Sequence, residues 1–216
     1  MLAENILTAN IPYYESYSDR TLNGNTIYVN NYKYSNIRAY LNGTANQFIL
    51  DSGTATDGDY DWTDKGFLQT AFTTSLQEKI QTTIVDNSAA STNPASNESL
   101  WDNGNNGFAC DDTSDKIFLL SEKEVTTSDY GFAEYNEYGF LSGRWRIATD
   151  YAKINGAITD TDDCGYWFLR TPHFDNFGCV LMVDSGGGVV DGNDTAYDCG
   201  VSFIDRGVVP ALWVIP

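Results

Sequence analysis

The stretch that decides the fold is Tyr166-Trp-Phe-Leu-Arg-Thr-Pro172, together with Gly178-Cys-Val-Leu-Met-Val183 and Gly207-Val-Val-Pro-Ala-Leu-Trp-Val214. Each is a short apolar run rich in aromatic and β-branched residues, which predicts a buried strand. We expect a turn at Thr171-Pro172 and another at the three glycines 186–188. Residues 166–216 therefore form a β-rich segment.

Towards the N-terminus the pattern changes to short helices. Ser35 is placed to cap a helix whose apolar face carries Ile37, Tyr40 and Leu41, and Gly43 ends it. Thr149 caps a second such helix, over residues 150–155. Similar arguments predict a strand at 26–29, a helix at 66–72, a helix from the capping box Ser75–Glu78 to Ile84, a buried strand at 116–120 and a short helix after the capping box Ser121–Glu124.

The remaining segments are polar. Residues 42–64 form an insertion rich in Asp and Thr, and residues 86–107 form a long surface loop rich in Asn, Ser and Gly. No linker or internal repeat divides the chain. We therefore predict one α+β domain over residues 1–216, with short helices in the N-terminal half and strands in the C-terminal half.

The formal net charge is −18, which opposes binding to nucleic acid and to anionic membrane surfaces. No run approaches the roughly 18–20 apolar residues of a membrane span, so direct membrane insertion is not expected. Residues 1–4 also lack the basic and apolar regions of a signal peptide.

No catalytic residue can be assigned from the sequence. His173 is the sole histidine and lies in a polar stretch with no nucleophile motif beside it. The chain has no G-x-S-x-G elbow, no HExxH, no P-loop and no G-x-G-x-x-G opening a helix. Thirty acidic residues make carboxylate pairs inevitable, so such pairs do not identify a glycosidase.

Two acidic turns have the oxygen ligands that Ca²⁺ prefers. Asp57, Asp59 and Asp61 alternate around Gly58, and Asp191 to Asp194 form a second turn. The first turn lacks the downstream Glu of an EF-hand, and we favour a solvated acidic loop over a calcium site at both. We therefore expect no cofactor.

The chain has four cysteines, Cys110, Cys164, Cys179 and Cys199, which allow three disulfide pairings. If the protein is exported, a bridge between Cys110 and Cys164 is favoured, since each flanks a predicted core strand. Cys179 and Cys199 pair or remain free. Four reduced thiols are the alternative.

Polar stretches lie between the apolar strands of the C-terminal segment, at His173–Phe177, Asp184–Ser185 and Asp191–Asp205. Polar and aromatic side chains held on rigid strands are typical of a binding surface. Ordinary loop composition explains the same residues equally well.

Four separated strings resemble one family: Asp115-Lys-Ile-Phe-Leu-Leu-Ser-Glu-Lys-Glu-Val125, Thr149-Asp-Tyr-Ala-Lys153, Tyr166–Pro172 and Gly207–Trp213. The chain is similar there to an uncharacterised bacterial and phage domain family, frequent in gut Firmicutes and spirochaetes. Tyr34–Leu41 and Gly66–Phe72 are similar to its first half. The resemblance implies a C-type-lectin-like fold related to formylglycine-generating enzymes.

Members of this family often serve as variable proteins of diversity-generating retroelements, in which adenine-directed mutagenesis changes codons near the 3′ end of the gene. The resemblance makes Tyr166–Arg170 and Val208–Val214 scaffold, and Cys179 and Cys199 accidents of diversification. It implies these ligand-facing positions: His173, Phe174, Asp175, Asn176, Phe177, Asp184, Asp191, Asn193, Tyr197, Asp198, Phe203 and Asp205.

The chain departs from the family pattern at Val209, where Arg is usual, and at Phe168, where a second Trp is usual. The Glu-Pro-Asn and Gln-Pro-Asp triplets of Ca²⁺-dependent lectins are absent, so the implied fold does not imply sugar binding.

Three hypotheses follow. The leading one is a non-enzymatic binding domain with a diversified C-terminal face, located on a cell surface, secreted or on a phage virion. Its partner is a protein or glycan on another cell or host surface. The second is a fixed carbohydrate- or cell-wall-binding module. The third is an enzyme of the formylglycine-generating type, which requires Cys179 and Cys199 to approach each other.

Overall fold

The computed structural model describes residues 1–91, 107–134, 142–190 and 199–215. It is a mixed α+β structure, as predicted, built from small sheets and short helices. The helices are α1 Asn36–Asn42, α2 Gln47–Ser52, α3 Phe67–Ala71, α4 Thr74–Gln77, α5 Glu122–Val125 and α6 Asp150–Ile154. The strands are β1 Asn5–Ile6, β2 Arg20–Leu22, β3 Asn25–Ile27, β4 Ile80–Gln81, β5 Thr83–Val85, β6 Thr113–Asp115, β7 Ile117–Phe118, β8 Ile147–Ala148, β9 Trp167–Pro172, β10 Val180–Val183, β11 Val189–Val190 and β12 Ala211–Val214.

The sheet β11-β10-β9 is antiparallel and lies inside the molecule. Every residue of β9 and β10 is buried. Successive side chains point to opposite faces of a strand, so this sheet separates two hydrophobic clusters. One cluster receives Phe168, Val180 and Met182. The other receives Trp167, Leu169, Leu181 and Val183.

A second antiparallel sheet, β4-β12-β7, brings the N-terminal residues against the C-terminal strand. β12 lies at its centre, paired with β4 and β7. Isolated bridges join Leu2 to Ala211 and Thr8 to Val208. The remaining ladders are the parallel pair β1-β8, the hairpin β2-β3 and the antiparallel pair β5-β6.

Three helices begin at their predicted caps, whereas α4 begins at Thr74, before the capping box predicted at Ser75–Glu78. The side chain of Ser35 accepts from the backbone N–H of Arg38, and Gly43 ends α1 with a φ of 61°. The Thr149 side chain accepts from the N–H of Ala152 at the start of α6. At α5 both hydrogen bonds of the capping box between Ser121 and Glu124 form.

Three local predictions are wrong. The helix predicted from Ser75 to Ile84 stops at Gln77, because Ile80 and Ile84 enter strands β4 and β5. The turn expected at Thr171-Pro172 comes later, since β9 continues through Pro172. The polar insertion at 42–64 contains a helix, α2, which the Asn46 side chain caps.

Within the part of the chain that the structure describes, no helix is long and apolar enough to cross a membrane.

Candidate functional site

The loop between β9 and β10 comprises residues 173–179. It is held in shape by its own hydrogen bonds: the N–H of His173 donates to the carbonyl of Cys179 (3.1 Å), and the N–H of Cys179 donates to the carbonyl of Asn176 (3.1 Å). The side-chain oxygen of Asn176 also accepts from the N–H of Gly178 (3.0 Å). The loop is therefore a structured turn.

The core holds this loop through Asn30. This side chain is fully buried, and its Nδ2 donates to the carbonyls of Asn176 (3.2 Å) and Cys179 (3.1 Å). Buried carbonyl groups require hydrogen-bond donors. Because this one amide donates to two carbonyls of the loop, it fixes the position of the loop relative to the core.

Residues 199–201 lie alongside the same loop. A disulfide joins Cys179 to Cys199, with a Cα–Cα distance of 4.8 Å. The N–H of Val201 donates to the carbonyl of Gly178 (3.0 Å), and the N–H of Val180 donates to the carbonyl of Cys199 (3.0 Å). The backbone hydrogen bonds and the disulfide together hold residues 199–201 in a fixed position beside the loop.

This pairing corrects one prediction. Cys110 and Cys164, between which a bridge was favoured if the protein is exported, are both free. Cys110 packs against the cluster that contains Phe168, where burial raises the pKa of its thiol to about 11. A thiol with so high a pKa is protonated at neutral pH and a weak nucleophile.

Aromatic rings from three other parts of the chain surround the loop. The Tyr28 ring meets the edge of Phe108 at a centroid distance of 4.8 Å and lies 6.5 Å from the ring of Phe177. The hydroxyl of Tyr17 is 2.8 Å from that of Ser202. Tyr17 is 53% exposed and Phe177 is 41% exposed, so both present large aromatic area to solvent.

The backbone approaches the Tyr17 ring closely at Gly200. A Cβ atom at Gly200 would lie 2.7 Å from the Tyr17 hydroxyl oxygen, so only glycine leaves the ring where it is. We call this surface, formed by Tyr17, Tyr28, Phe108, the loop 173–178 and residues 199–203, the loop face.

The predicted ligand-facing residues divide into three groups. Asp175, Asn176 and Phe177 are exposed on the loop face, and Phe174 is half-buried beside them. Phe203 is half-buried near Gly200, where its ring contacts the guanidinium of Arg206 at 4.8 Å. Asp191, Asn193, Tyr197 and Asp198 lie outside the described residues.

The expectation that His173 faces solvent is wrong. Its side chain is buried, its ring stacks on Phe174 with centroids 4.7 Å apart, and its Nδ1 accepts from the N–H of Asp175 (3.2 Å). Because β9 runs through Pro172 and all of its residues are buried, His173 directly follows a buried strand and is buried as well.

Asp184 lies away from the loop face, and Asp205 lies beside its residues 199–203, where Arg206 contacts both Asp205 and Phe203. Asp184 follows the far end of β10, and its carboxylate accepts from the N–H of Gly188 (2.7 Å). Burial is the largest cause that raises the pKa of this carboxyl group. Asp205 pairs with Arg206 (3.0 Å), and its carbonyl accepts from the N–H of Ile158.

Two carboxylates of the acidic turn are engaged by groups of the protein itself. The Asp59 carboxylate is buried against the guanidinium of Arg20, and that of Asp61 accepts from the N–H of Thr63. Over residues 1–91, 107–134, 142–190 and 199–215, no three His, Cys, Asp or Glu side chains are grouped to hold a metal ion. The second turn, Asp191–Asp194, lies outside the described residues.

Sequence reasoning missed Tyr17, Tyr28 and Phe108. Tyr17 and Phe108 come from polar or irregular segments, and Tyr28 from the end of the strand predicted at 26–29, which the structure forms as β3. All three are distant in sequence from residues 173–178, and no local pattern links them to that loop. Only the tertiary fold brings these rings together.

No curated protein and no solved structure matches the chain. A family model described as "Domain of unknown function (DUF6273)" matches residues 1–216, and the chain therefore belongs to that family.

Proposed function

We propose that this chain is a non-enzymatic binding domain whose loop face recognises a protein or glycan on another cell or host surface. The observation that carries the proposal is that two exposed aromatic side chains lie on the loop face: Phe177, on the loop that the core and a disulfide hold rigid, and Tyr17 from another part of the chain. Exposed aromatic side chains that lose little entropy on binding are the usual anchors of recognition surfaces.

The chemistry around the loop supports binding in preference to catalysis. The sole histidine is buried and engaged with Phe174 and Asp175. The exposed neighbours, Asp175 and Asn176, are hydrogen-bonding groups suited to orienting a partner. A general acid or base needs a positioned titrating group within reach of its substrate, and the buried imidazole does not have that access.

We further propose a C-type-lectin-like fold for this single domain, and a role as the variable protein of a diversity-generating retroelement. The support is the resemblance of four separated strings, one of which, Tyr166–Pro172, contains the buried strand β9. The exposed residues Asp175, Asn176 and Phe177 follow directly after that strand, as a variable surface on a constant scaffold requires.

A disulfide favours a location outside the reducing cytosol. We therefore propose that the domain acts on a cell surface, in secreted form or on a phage virion. The pair Cys179–Cys199 is the observation behind this proposal.

The binding proposal is tested by screening the labelled chain on a glycan array, with and without Ca²⁺, and on an array of cell-surface proteins. Each ligand found is titrated against Phe177→Ala and Tyr17→Ala. We expect at least tenfold weaker binding, since central aromatic anchors contribute about 2 kcal/mol or more. Ile154→Ala, which removes an 85% exposed apolar side chain from α6, is the matched control and leaves affinity unchanged. Unchanged binding by both loop-face variants would contradict the proposal.

The diversification proposal is tested by sequencing the locus. We expect a reverse transcriptase gene and a template repeat that matches the 3′ end of this gene, with mismatches only at template adenines. A replicon without such a repeat refutes diversification and leaves the binding proposal standing.

One observation favours the enzyme as a second candidate: Cys179 and Cys199 approach each other, as a formylglycine-generating type of site requires. Both side chains are buried and flanked by ladder hydrogen bonds, which instead supports a structural tie. Changing both to Ser decides between them. If the double variant is less stable than the wild type, the disulfide has a structural role. If the double variant is equally stable but loses an oxidase activity on thiol peptides, the enzyme hypothesis is supported.

A further inference from the structure

An apolar groove of about 330 Å³ lies where the sheet β4-β12-β7, the helices α3 and α4 and residues 1–3 meet. Its volume is within the range of about 300–1,000 Å³ that small-molecule sites have. The groove shares no residue with the loop face, so it is a separate site. Apolar side chains from the helical segment and the sheet line it: Phe67, Phe72, Leu76, Ile80, Leu212 and Val214.

The apolar walls of the groove are open to solvent. Leu76 is 49% exposed and Val214 is 42% exposed, and Phe72 and Leu212 are half-buried. Removing apolar surface from water is favourable in proportion to the area covered. The groove therefore offers a ligand an apolar contact surface that it can reach.

The walls offer few hydrogen-bonding groups. Among the described residues, Lys79 is the one side chain with a polar group that lines the groove. The backbone beside it is engaged as well, since the N–H of Ala3 donates to the carbonyl of Pro210 (3.0 Å). A ligand rich in hydroxyl or amide groups would lose hydrogen bonds to water here without regaining them. The groove therefore suits an alkyl chain.

Lys79 brings a free positive charge to this groove. Its backbone is fixed, because its N–H donates to the carbonyl of Leu76 (3.0 Å) and its carbonyl accepts from the N–H of Ile215 (2.9 Å). Its side chain is exposed and makes no ion pair within the part of the chain that the structure describes, whereas Lys33 and Lys153 each pair with an aspartate. An unpaired ammonium beside an apolar groove attracts a carboxylate.

We infer that this groove binds a medium-chain fatty acid, with the alkyl chain along the apolar walls and the carboxylate at the ammonium of Lys79. A lysine keeps its ammonium in water while its stem lies on apolar surface. The carboxylate therefore stays solvated at the mouth of the groove, and the alkyl chain alone loses its contact with water. An alcohol of the same length keeps only the chain contacts, and a cationic amphiphile is repelled by Lys79.

The test titrates octanoate into the whole chain by calorimetry, at 0.15 M salt, where charges farther apart than about 8 Å are largely screened. Octanol and octyltrimethylammonium carry the same alkyl chain with a neutral and a cationic head. We expect octanoate to bind at one site per chain and octyltrimethylammonium to bind at least fivefold more weakly. Octanol should lie between the two.

Two substitutions test the apolar wall and the ammonium separately. Leu76→Gln should weaken octanoate and octanol alike by about three- to tenfold, because covering the exposed half of a leucine contributes roughly half of its full burial. Lys79→Gln should weaken octanoate by about two- to fivefold, the range of an exposed ion pair, and should leave octanol binding unchanged.

Matched controls make the same changes at exposed residues that do not line the groove. Ile84→Gln replaces an exposed apolar side chain of β5, and Lys123→Gln removes an exposed ammonium from α5. Both should leave octanoate binding unchanged. The thermal midpoint of each variant shows that it is folded.

The inference is overturned if octanoate does not bind, if octyltrimethylammonium binds as tightly as octanoate, or if Lys79→Gln weakens octanol as much as octanoate. A second copy of the chain is the other occupant to examine, by sedimentation without ligand. A dimer that Leu76→Gln dissociates would also overturn the inference. Phe177→Ala separates the two proposals, since it should weaken the loop-face ligand and leave octanoate binding intact.

Discussion

Asn30 connects the loop face to the core, because it donates to the carbonyls of both Asn176 and Cys179. Asn30→Ala leaves two carbonyls without this donor. We expect it to lower the free energy of unfolding by about 1–3 kcal/mol, the cost of unsatisfied buried groups. Urea unfolding measures that loss. Hydrogen exchange should also become faster at the amides of residues 173–179.

Asn155→Ala is the matched control for this variant. Asn155 also donates its Nδ2 to a backbone carbonyl, that of Tyr151, but at the exposed end of α6. We expect a change within about 0.5 kcal/mol, as for most surface substitutions. Equal effects of the two variants would show that Asn30 has no special role in holding the loop.

Asp184 gives a prediction about pH. Burial raises the pKa of its carboxyl group in the folded protein above the unfolded value of about 3.9. A raised carboxyl pKa costs stability above that pKa, and this cost disappears as the pH falls below the unfolded value. Asp184→Asn keeps an oxygen for the N–H of Gly188 and removes the cost. The variant should therefore be more stable than the wild type at pH 7, and the difference should shrink toward pH 3.

Chemical unfolding at a series of pH values measures this difference. Asp129→Asn, at an acid in a surface turn of the chain, is the control and should show no such gain. A wild type that is more stable than Asp184→Asn at pH 7 would contradict the argument.

At the scale of single residues, the sequence predicted side chains whose role is local. Ser35, Ser121 and Thr149 cap helices as expected, since a cap depends on neighbours two or three residues away. His173 was misassigned because its burial depends on where β9 ends. Tyr17 was missed because its role depends on Gly200, which is distant in sequence.

At the scale of elements, the error over Ile80 and Ile84 has a clear cause. Their spacing fits one face of a helix, but it also permits two short strands separated by a bend. Pairing decided between them: Ile80 lies opposite Val214 of β12, and Ile84 opposite Ser114 of β6. Such pairings join residues that are distant in sequence, so the local spacing of apolar residues cannot predict them.

The disulfide also links distant elements, because it joins Cys179, directly before β10, to Cys199. It closes a loop with a sequence separation of 20. Cross-linking a loop of that size stabilises a protein by roughly 3 kcal/mol through loss of unfolded-state entropy. We expect the double variant Cys179→Ala, Cys199→Ala to be less stable by about that amount in urea unfolding.

Dithiothreitol provides the control for this measurement. The reductant should lower the stability of the wild type towards that of the double variant and leave the double variant unchanged. A wild type whose stability does not depend on the reductant would show that the bond contributes nothing.

At the scale of the whole molecule, the buried residues of the sheet β11-β10-β9 must keep their identity, whereas the exposed residues of the loop after β9 are free to vary. Its strands pack into hydrophobic clusters on both faces, so nearly every substitution there creates a cavity or a clash. The loop that joins β9 to β10 leaves the core at Pro172 and returns at Cys179. Asp175, Asn176 and Phe177 are exposed between those points.

This arrangement predicts how the chain tolerates random substitution. A library with all amino acids at Asp175, Asn176 and Phe177 should yield mostly folded members, since these exposed side chains contribute little to the core. The carbonyl of Asn176 keeps its hydrogen bonds to Cys179 and Asn30 whatever the side chain is, and replacing Asn176 loses only the side-chain bond from the N–H of Gly178. An equal library at the buried residues Trp167, Phe168 and Leu169 should yield mostly unfolded members, because truncating each costs about 2–5 kcal/mol against a total of 5–15. Protease resistance on a display platform, read by sequencing, compares the folded fraction of the two libraries. Equal fractions would contradict the division into scaffold and variable surface, and enrichment of the native Phe177 would assign that ring a structural role.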